Sequence, residues 1–398
     1  MKKIVAGAVA LVCAASMFAA DFAAKVYLTG DVAGGETDKD TYIWKMNKQD
    51  QKDADALVVS TNGDNAGANF QFWYNYDASG KADLLVRSTS IWFKPVDMLK
   101  VTLGDVEIGT YKEMLHWWKD PAGGSYAQAG SWDHGYSSYA TVSGSGITFE
   151  LTPMSGLYIT GGIISGADSN FVTFVKNADK PTIKAYGAAV KLDLNALASI
   201  PLTAAVSWRD EGTNATKVLA IGADYGNAWA NGIYAMLNAR MLFDDSIAAY
   251  GSGEKTYLTG ISFDNYFKFT KDALCVEARL PFVLRGLAKD LLNGADASVA
   301  DPSYMFWEFR VKYALDGFTP YLNVGTDIRN NHDGWVFYKE NMADTFNVDI
   351  KPGVTFNVGA ASFDVSALIS IKDAVAKNDG SKYRPIQWSI PFEVGLAF

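Results

Sequence analysis

The chain has 398 residues, 44 acidic against 35 basic, and a formal net charge of -9. With only eight arginines, that balance argues against a nucleic-acid partner, which is held by clustered positive charge. Hydrophobic residues make up 49% of the chain, yet beyond the N-terminus they are dispersed, and no run reaches the ~20 residues a membrane-spanning helix needs.

Met1-Lys2-Lys3, the apolar run Ile4 to Ala15 and the small residues Ala19-Ala20 have the order of a secretory signal peptide over residues 1–20: basic start, short apolar core, small-residue exit. Its removal takes Cys13 and leaves Cys275 as the one cysteine, so no internal disulfide can form. No Pro- or Ser-rich linker divides residues 21–398, which read as one domain.

That domain is a succession of alternating strands. Ala24, Val26, Leu28, Gly30 and Val32 alternate with Lys25, Tyr27, Thr29 and Asp31, and a polar stretch from Gly34 to Asp53 follows. Residues 54–61 and 68–76 flank Asn62-Gly63, a pair that tolerates the positive φ of a tight hairpin. The hairpin 83–94/99–106 turns at Pro95 to Met98, and a change of parity near Ser90 predicts a bulge there. The hairpin 147–152/157–164 turns at Pro153 to Gly156. Paired runs then recur at 186–194/202–208, 219–225/233–241, 257–263/274–280, 305–313/318–324 and 346–358/363–371.

The last stretch is Ile386 to Phe398. Ile386, Trp388, Ile390, Phe392, Val394, Leu396 and Phe398 are apolar, while the residues between them are polar or small. Connections along the chain alternate short and long: Leu315 to Gly317 and Gly359 to Ala361 against Arg285 to Ser303 and Arg329 to Asp344. The pattern predicts an all-β fold, a transmembrane antiparallel β-barrel of about 16–18 strands with short periplasmic turns and long extracellular loops. Both termini fall at the short-turn end, so the final strand must pair with Ala24 to Val32 to remove both sheet edges.

The terminal strand resembles the assembly signal of bacterial outer-membrane barrels, with Phe392, Val394, Leu396 and Phe398 as its apolar set. Ile91 to Leu99 (Ile-Trp-Phe-Lys-Pro-Val-Asp-Met-Leu) is similar to hairpins of spirochaetal porin-like β-barrel proteins. The resemblance implies a bacterial outer-membrane porin: an integral protein of the cell outer membrane, exported through the periplasm, with outer-membrane lipid and the barrel-assembly machinery as its partners. It leaves open whether three barrels associate as a homotrimer.

A barrel of this size encloses water, so inward residues should set what passes. Arg209, Arg240, Arg279 and Arg310 fall on the polar parity of their strands with Lys312, Glu308 and Glu277, and are candidate pore-lining residues. Charges there either hydrate the lumen or act as a wall that tunes ion selectivity. General porins fold a long early loop into the barrel. The longest connection here, Glu107 to Gly144, carries Glu113 and Asp120, which the resemblance makes constriction-loop candidates facing the arginines.

The expected function is passive diffusion of ions and small hydrophilic solutes, without a bound cofactor. The alternatives are a substrate-specific channel, such as one for a sugar stacking on Tyr27, Tyr158, Tyr234, Phe306 and Tyr321, and a surface adhesin anchored by the barrel. Three histidines, His116, His134 and His332, all lie in long connections without a nucleophile or metal-ligand spacing, so no enzyme is expected.

Overall fold

The computed structural model describes residues 21–36, 39–46, 56–76, 82–108, 142–165, 183–211, 216–227, 230–244, 257–280, 282–285, 303–330, 346–371 and 386–397. They form one antiparallel sheet of 21 strand segments. In chain order these are β1 (Asp21–Glu36), β2 (Tyr42–Met46), β3 (Ala56–Asn62), β4 (Ala66–Tyr76), β5 (Ala82–Val96), β6 (Leu99–Ile108) and β7 (Val142–Met154). Then come β8 (Leu157–Ser165), β9 (Ile183–Asp193), β10 (Leu202–Glu211), β11 (Thr216–Tyr225), β12 (Gly232–Asp244), β13 (Tyr257–Lys271) and β14 (Leu274–Arg279). The last are β15 (Phe282–Arg285), β16 (Ser303–Tyr313), β17 (Phe318–Asn330), β18 (Phe346–Val358), β19 (Ala361–Ser366), β20 (Leu368–Ile371) and β21 (Ile386–Ala397).

Three pairs of segments are single barrel staves interrupted along their length. β2 and β3 both pair with β1, β14 and β15 both lie between β13 and β16, and β19 and β20 both lie between β18 and β21. The sheet therefore has 18 staves, at the upper end of the expected number. It closes where expected: β21 pairs with β1, from Lys25 opposite Ala397 to Glu36 opposite Gln387, with one irregularity between Asp31 and Gly34.

The short connections gather at one end. From Asn65 round to Ala314, each adjacent pair of short turns is joined by a hydrogen bond. Lys94 N donates to Asn65 O (2.7 Å), Thr152 N to Met98 O (2.8 Å) and Asp193 N to Gly156 O (2.7 Å). Gly226 N donates to Pro201 O (2.8 Å), Asp272 N to Asn231 Oδ1 (3.0 Å) and Ala314 N to Ala273 O (2.8 Å). Backbone groups at the end of a closed sheet thus find partners in the next turn instead of remaining open.

Three local features differ from the sequence expectation. The stretch 34–53 contains β2, whose Trp44 adopts φ 61 and stacks on Phe392 at 5.3 Å. Gly30 on the intervening strand makes that stack possible, because a Cβ there would meet Lys45 O at 2.5 Å and the Phe392 ring at 2.9 Å. The bulge expected near Ser90 is at Arg87, the extra residue between Ser88 opposite Gln71 and Val86 opposite Phe72. The connection after β9 is a single helical turn, α1 (Leu194–Ala198), where a plain turn was expected; the Asp193 carboxylate caps it by accepting from Asn195 N and Ala196 N.

The sheet is inside out relative to a soluble protein. Ile221, Leu237 and Phe309 on the apolar parity are 48%, 54% and 48% exposed, whereas Glu277, Glu308 and Arg310 on the polar parity are 1%, 2% and 2% exposed. A folded chain in water would lose stability on both counts. In a closed barrel the exposed rows are the outer wall, and only hydrocarbon makes an apolar outer wall favourable. Among the described residues no helix is long and apolar enough to cross a membrane; the elements suited to crossing are strands.

Candidate functional site

The inner wall is built by register. On one half of the barrel Lys268, Glu277, Arg310, Asn323 and Lys351 lie directly opposite one another on β13, β14, β16, β17 and β18. The neighbouring row runs through Tyr266, Arg279, Glu308, Gly325, Asp349 and Ser370. These two transverse rows alternate charge and hydrogen-bonding groups across the strands at a spacing of ~4.8 Å per stave.

At their centre Glu277 gathers three donors. Its Oε2 accepts from Arg310 Nε at 2.6 Å and Lys312 Nζ at 2.9 Å, and its Oε1 accepts from Tyr266 OH at 2.6 Å. All four groups are buried, so the carboxylate is held by opposite charge and hydrogen bonds that replace its lost water. A second acid, Asp364, is held differently: Tyr321 OH donates to Oδ1 and Thr355 Oγ1 to Oδ2, both at 2.7 Å. Tyr321 reaches from β17 to β19 by lying across β18 where Gly353 leaves room; a Cβ at Gly353 would collide with the Tyr321 ring. Tyr234 OH donates to Asp224 Oδ2 (3.0 Å), and Tyr42 OH to Asp31 Oδ2 (2.8 Å). Tyrosines reaching across strands fix the directions in which these acids point.

Apolar clusters also line the inner wall, and one of them includes Tyr266 of the charged rows. Val106, Ile164 and Ala185 form one buried cluster; Ala189, Ala205, Ala220, Tyr234, Met236 and Tyr266 form another. Sequence analysis placed Tyr158, Tyr234, Arg209 and Arg240 on the inner parity of β8 to β12 but did not foresee these clusters, which are assembled from several strands.

The candidate pore-lining residues fall as follows. Glu277, Arg310 and Lys312 form one network, and Glu308 sits in the adjacent row. Arg209 is buried on β10, away from that network. Arg240 and Arg279 occupy positions in register with Ala220 and Glu308 respectively, and their side chains lie outside the described residues. Glu113 and Asp120 also lie outside the described residues, as do the three histidines and Phe398. Phe392 and Val394 stand on the apolar parity of β21 beside Val365 and Phe363, with Leu396 on the same parity. Glu393, opposite Asp364 and Thr29, is on the inner one.

Of the tyrosines expected to offer stacking faces, Tyr234 and Tyr321 are buried and engaged by acids, while Tyr158 lies under Lys191 Nζ at 4.1 Å from its ring centre. The side chains of Tyr27 and Phe306 lie outside the described residues. Among the described residues no group of three or more His, Cys, Asp or Glu is arranged to hold a metal ion.

No family model and no curated protein matches this chain by sequence. Its fold does match solved structures. Pseudomonas aeruginosa OpdL superposes with a TM-score of 0.56 at 8% identity, over 95% of this chain and 98% of that one. A BenF-like porin from Pseudomonas fluorescens Pf-5 gives 0.56 at 11% identity, over 95% and 97%. Pseudomonas aeruginosa OccK2 (OpdF) in complex with glucuronate gives 0.54 at 11% identity, over 95% and 98%. The chain has the fold of bacterial outer-membrane porins.

Proposed function

We propose that this protein is a porin of a bacterial outer membrane, a water-filled channel for passive diffusion of ions and small hydrophilic solutes. The observation that carries the reading is the closed 18-stave wall with its apolar parity exposed and its charged parity inside. A barrel of this strand number encloses an aqueous lumen, whereas about eight strands are filled by their own side chains. Transport then needs no energy source or cofactor; selectivity comes from lumen radius and wall charge. The reading includes removal of residues 1–20 on export, the barrel-assembly machinery as the receiver of the terminal strand, no catalytic activity, and kinship of the Ile91–Leu99 hairpin with spirochaetal porin-like proteins.

The test is single-channel recording of the refolded protein in a planar bilayer. Stable conductance steps are expected, with weak block by neutral sugars; absence of steps from a folded barrel would overturn the channel. A substrate-specific channel is the second reading, motivated by the tyrosines and acids held together on the inner wall. Glucuronate, bound by one of the similar structures, belongs in the solute series, and saturable block by it would favour that reading.

Cys275 supplies a native reporter of the lumen. It shares the inner parity of Glu277, stands opposite Lys312, and its sulfur accepts from Thr270 Oγ1 at 3.8 Å. A charged thiol reagent added to the open channel is expected to lower conductance in steps, and Cys275→Ser to abolish the response. An undiminished current after mass-verified labelling would remove Cys275 from the conducting path.

The constriction-loop reading of the connection after β6 has its own test. Neutralising Glu113 and Asp120 as glutamine and asparagine is expected to reduce cation preference, read as a shift of the zero-current potential in a salt gradient. An unchanged potential would separate these acids from selectivity.

A further inference from the structure

Regular strand pairing fails at one height across neighbouring interfaces of the wall. Pro352 of β18 stands opposite Ala367, the residue between β19 and β20. Its carbonyl accepts from Ala367 N at 2.9 Å, but proline has no N–H to return. On the other side of that stave, pairing with β21 stops at Val365 opposite Phe392 and resumes at Leu368 opposite Ser389. Ser366 and Ala367 are thereby left beside Pro391 and Ile390. Between β21 and β1, Val32 and Ala33 together face Ile390, one residue more than a regular ladder holds. Proline is ordinarily kept to sheet edges and bulges, yet Pro352 and Pro391 flank an interior stave of a closed sheet. Among the described residues the turn at Gly359-Ala360, in this same sector, also lacks the hydrogen bond that joins the turns from Asn65 to Ala314.

The inner face of this line is braced from both flanks. Tyr321 crosses β18 at Gly353 to reach Asp364. Tyr42 lies against Gly34, where a Cβ would collide with its ring, and reaches Asp31. The interface between the braces carries the opposite effect. Asp364 of β19 and Glu393 of β21 stand directly opposite each other, and like charges so placed drive strands apart. Lys351 on β18 attracts both and offsets part of that repulsion. A stretch of sheet with fewer ladder bonds and a repelling pair is where a structure opens first.

We propose that this line is a hinge in the barrel wall. The sector from β18 to β1 flexes there, β19–β20 parts from β21, and the two tyrosines act as latches. The flexing gives the open channel a second conductance level that is set by the wall. Its link to current rests on the porin reading; the hinge itself does not.

Hydrogen exchange of the protein folded into lipid vesicles reads the hinge without any current. Amides of β19 to β21 are expected to exchange about tenfold faster than those of β10 to β12, and Y42F/Y321F to widen the difference. In single-channel recordings on a C13S/C275S background, I369C/W388C places a disulfide across β20 and β21 between directly paired residues. Reduced, this variant is expected to make reversible excursions to the second level; oxidised, it is expected to make none. V206C/I221C, paired across the regular β10–β11 interface, is expected to make them in both states. Equal exchange in the two sectors would overturn the hinge, and so would excursions that persist in oxidised I369C/W388C. Excursions lost equally in oxidised V206C/I221C would place their origin elsewhere in the wall and overturn it too. Failure of the porin reading is distinct, since it removes conductance from every variant and leaves the exchange contrast in place.

Discussion

Glu277→Ala is expected to lower the stability of the folded barrel by about 3–5 kcal/mol, the cost of leaving buried charges without their counter-ion. Arg310 Nε and Lys312 Nζ both bond to the same carboxylate oxygen, so one substitution removes a shared anchor from two buried cations. The loss would be read as a lower urea midpoint for folding into vesicles, followed by the heat-modifiable gel shift. The mutant channel should also shift its zero-current potential toward anions, because the lumen gains net positive charge. Adding R310M should recover part of the stability, since a buried ion pair is frequently replaceable by apolar groups of similar volume. An E277A barrel as stable as the parent would mean that water reaches these cations freely and that the network is not a buried one.

Phe392→Arg and Glu393→Arg test the two faces of the closing strand with neighbouring residues. Phe392 is on the outer parity, stacked with Trp44 and opposite Gly30. An arginine there loses the stack and meets hydrocarbon near mid-wall, with an expected cost of about 2–4 kcal/mol. Glu393 is on the inner parity opposite Asp364. Arginine at that position should fold to the parental yield and move ion preference toward anions. Removal of Phe398 should impair insertion by the assembly machinery more than the conductance of barrels that do form. Equal folding of F392R and the parent, with failure of E393R, would reverse the assignment of the two faces.

The outer wall was legible because its signal is local. Each strand repeats every two residues, so Phe392 and Glu393, or Phe309 and Arg310, take opposite faces wherever the strand sits. The alternation of short and long connections likewise revealed which end holds both termini. That placement required the final strand to meet the first, as the pairing of Lys25 with Ala397 bears out. Proline and glycine at Pro352-Gly353 did not obscure β18, since Phe346 through Val358 keep one parity across them.

Register and lateral neighbours were not legible, because they depend on residues far apart in sequence. Nothing local to Glu277 shows that Arg310 and Lys312 share its carboxylate, or that Tyr321 crosses β18 over Gly353 to reach Asp364. The split second stave escaped for the same reason: β2 is short, its Trp44 leaves the regular strand conformation, and only its pairing with β1 identifies it. By itself, then, the sequence determined that this chain is a closed sheet with an apolar outside, a polar inside and a fixed closing pair, because those follow from a two-residue period and the need to satisfy backbone groups in lipid. Tertiary structure alone decided which charges face one another and where small and apolar side chains cluster on the inner wall, because such neighbours are set by the stagger between strands rather than by any one strand.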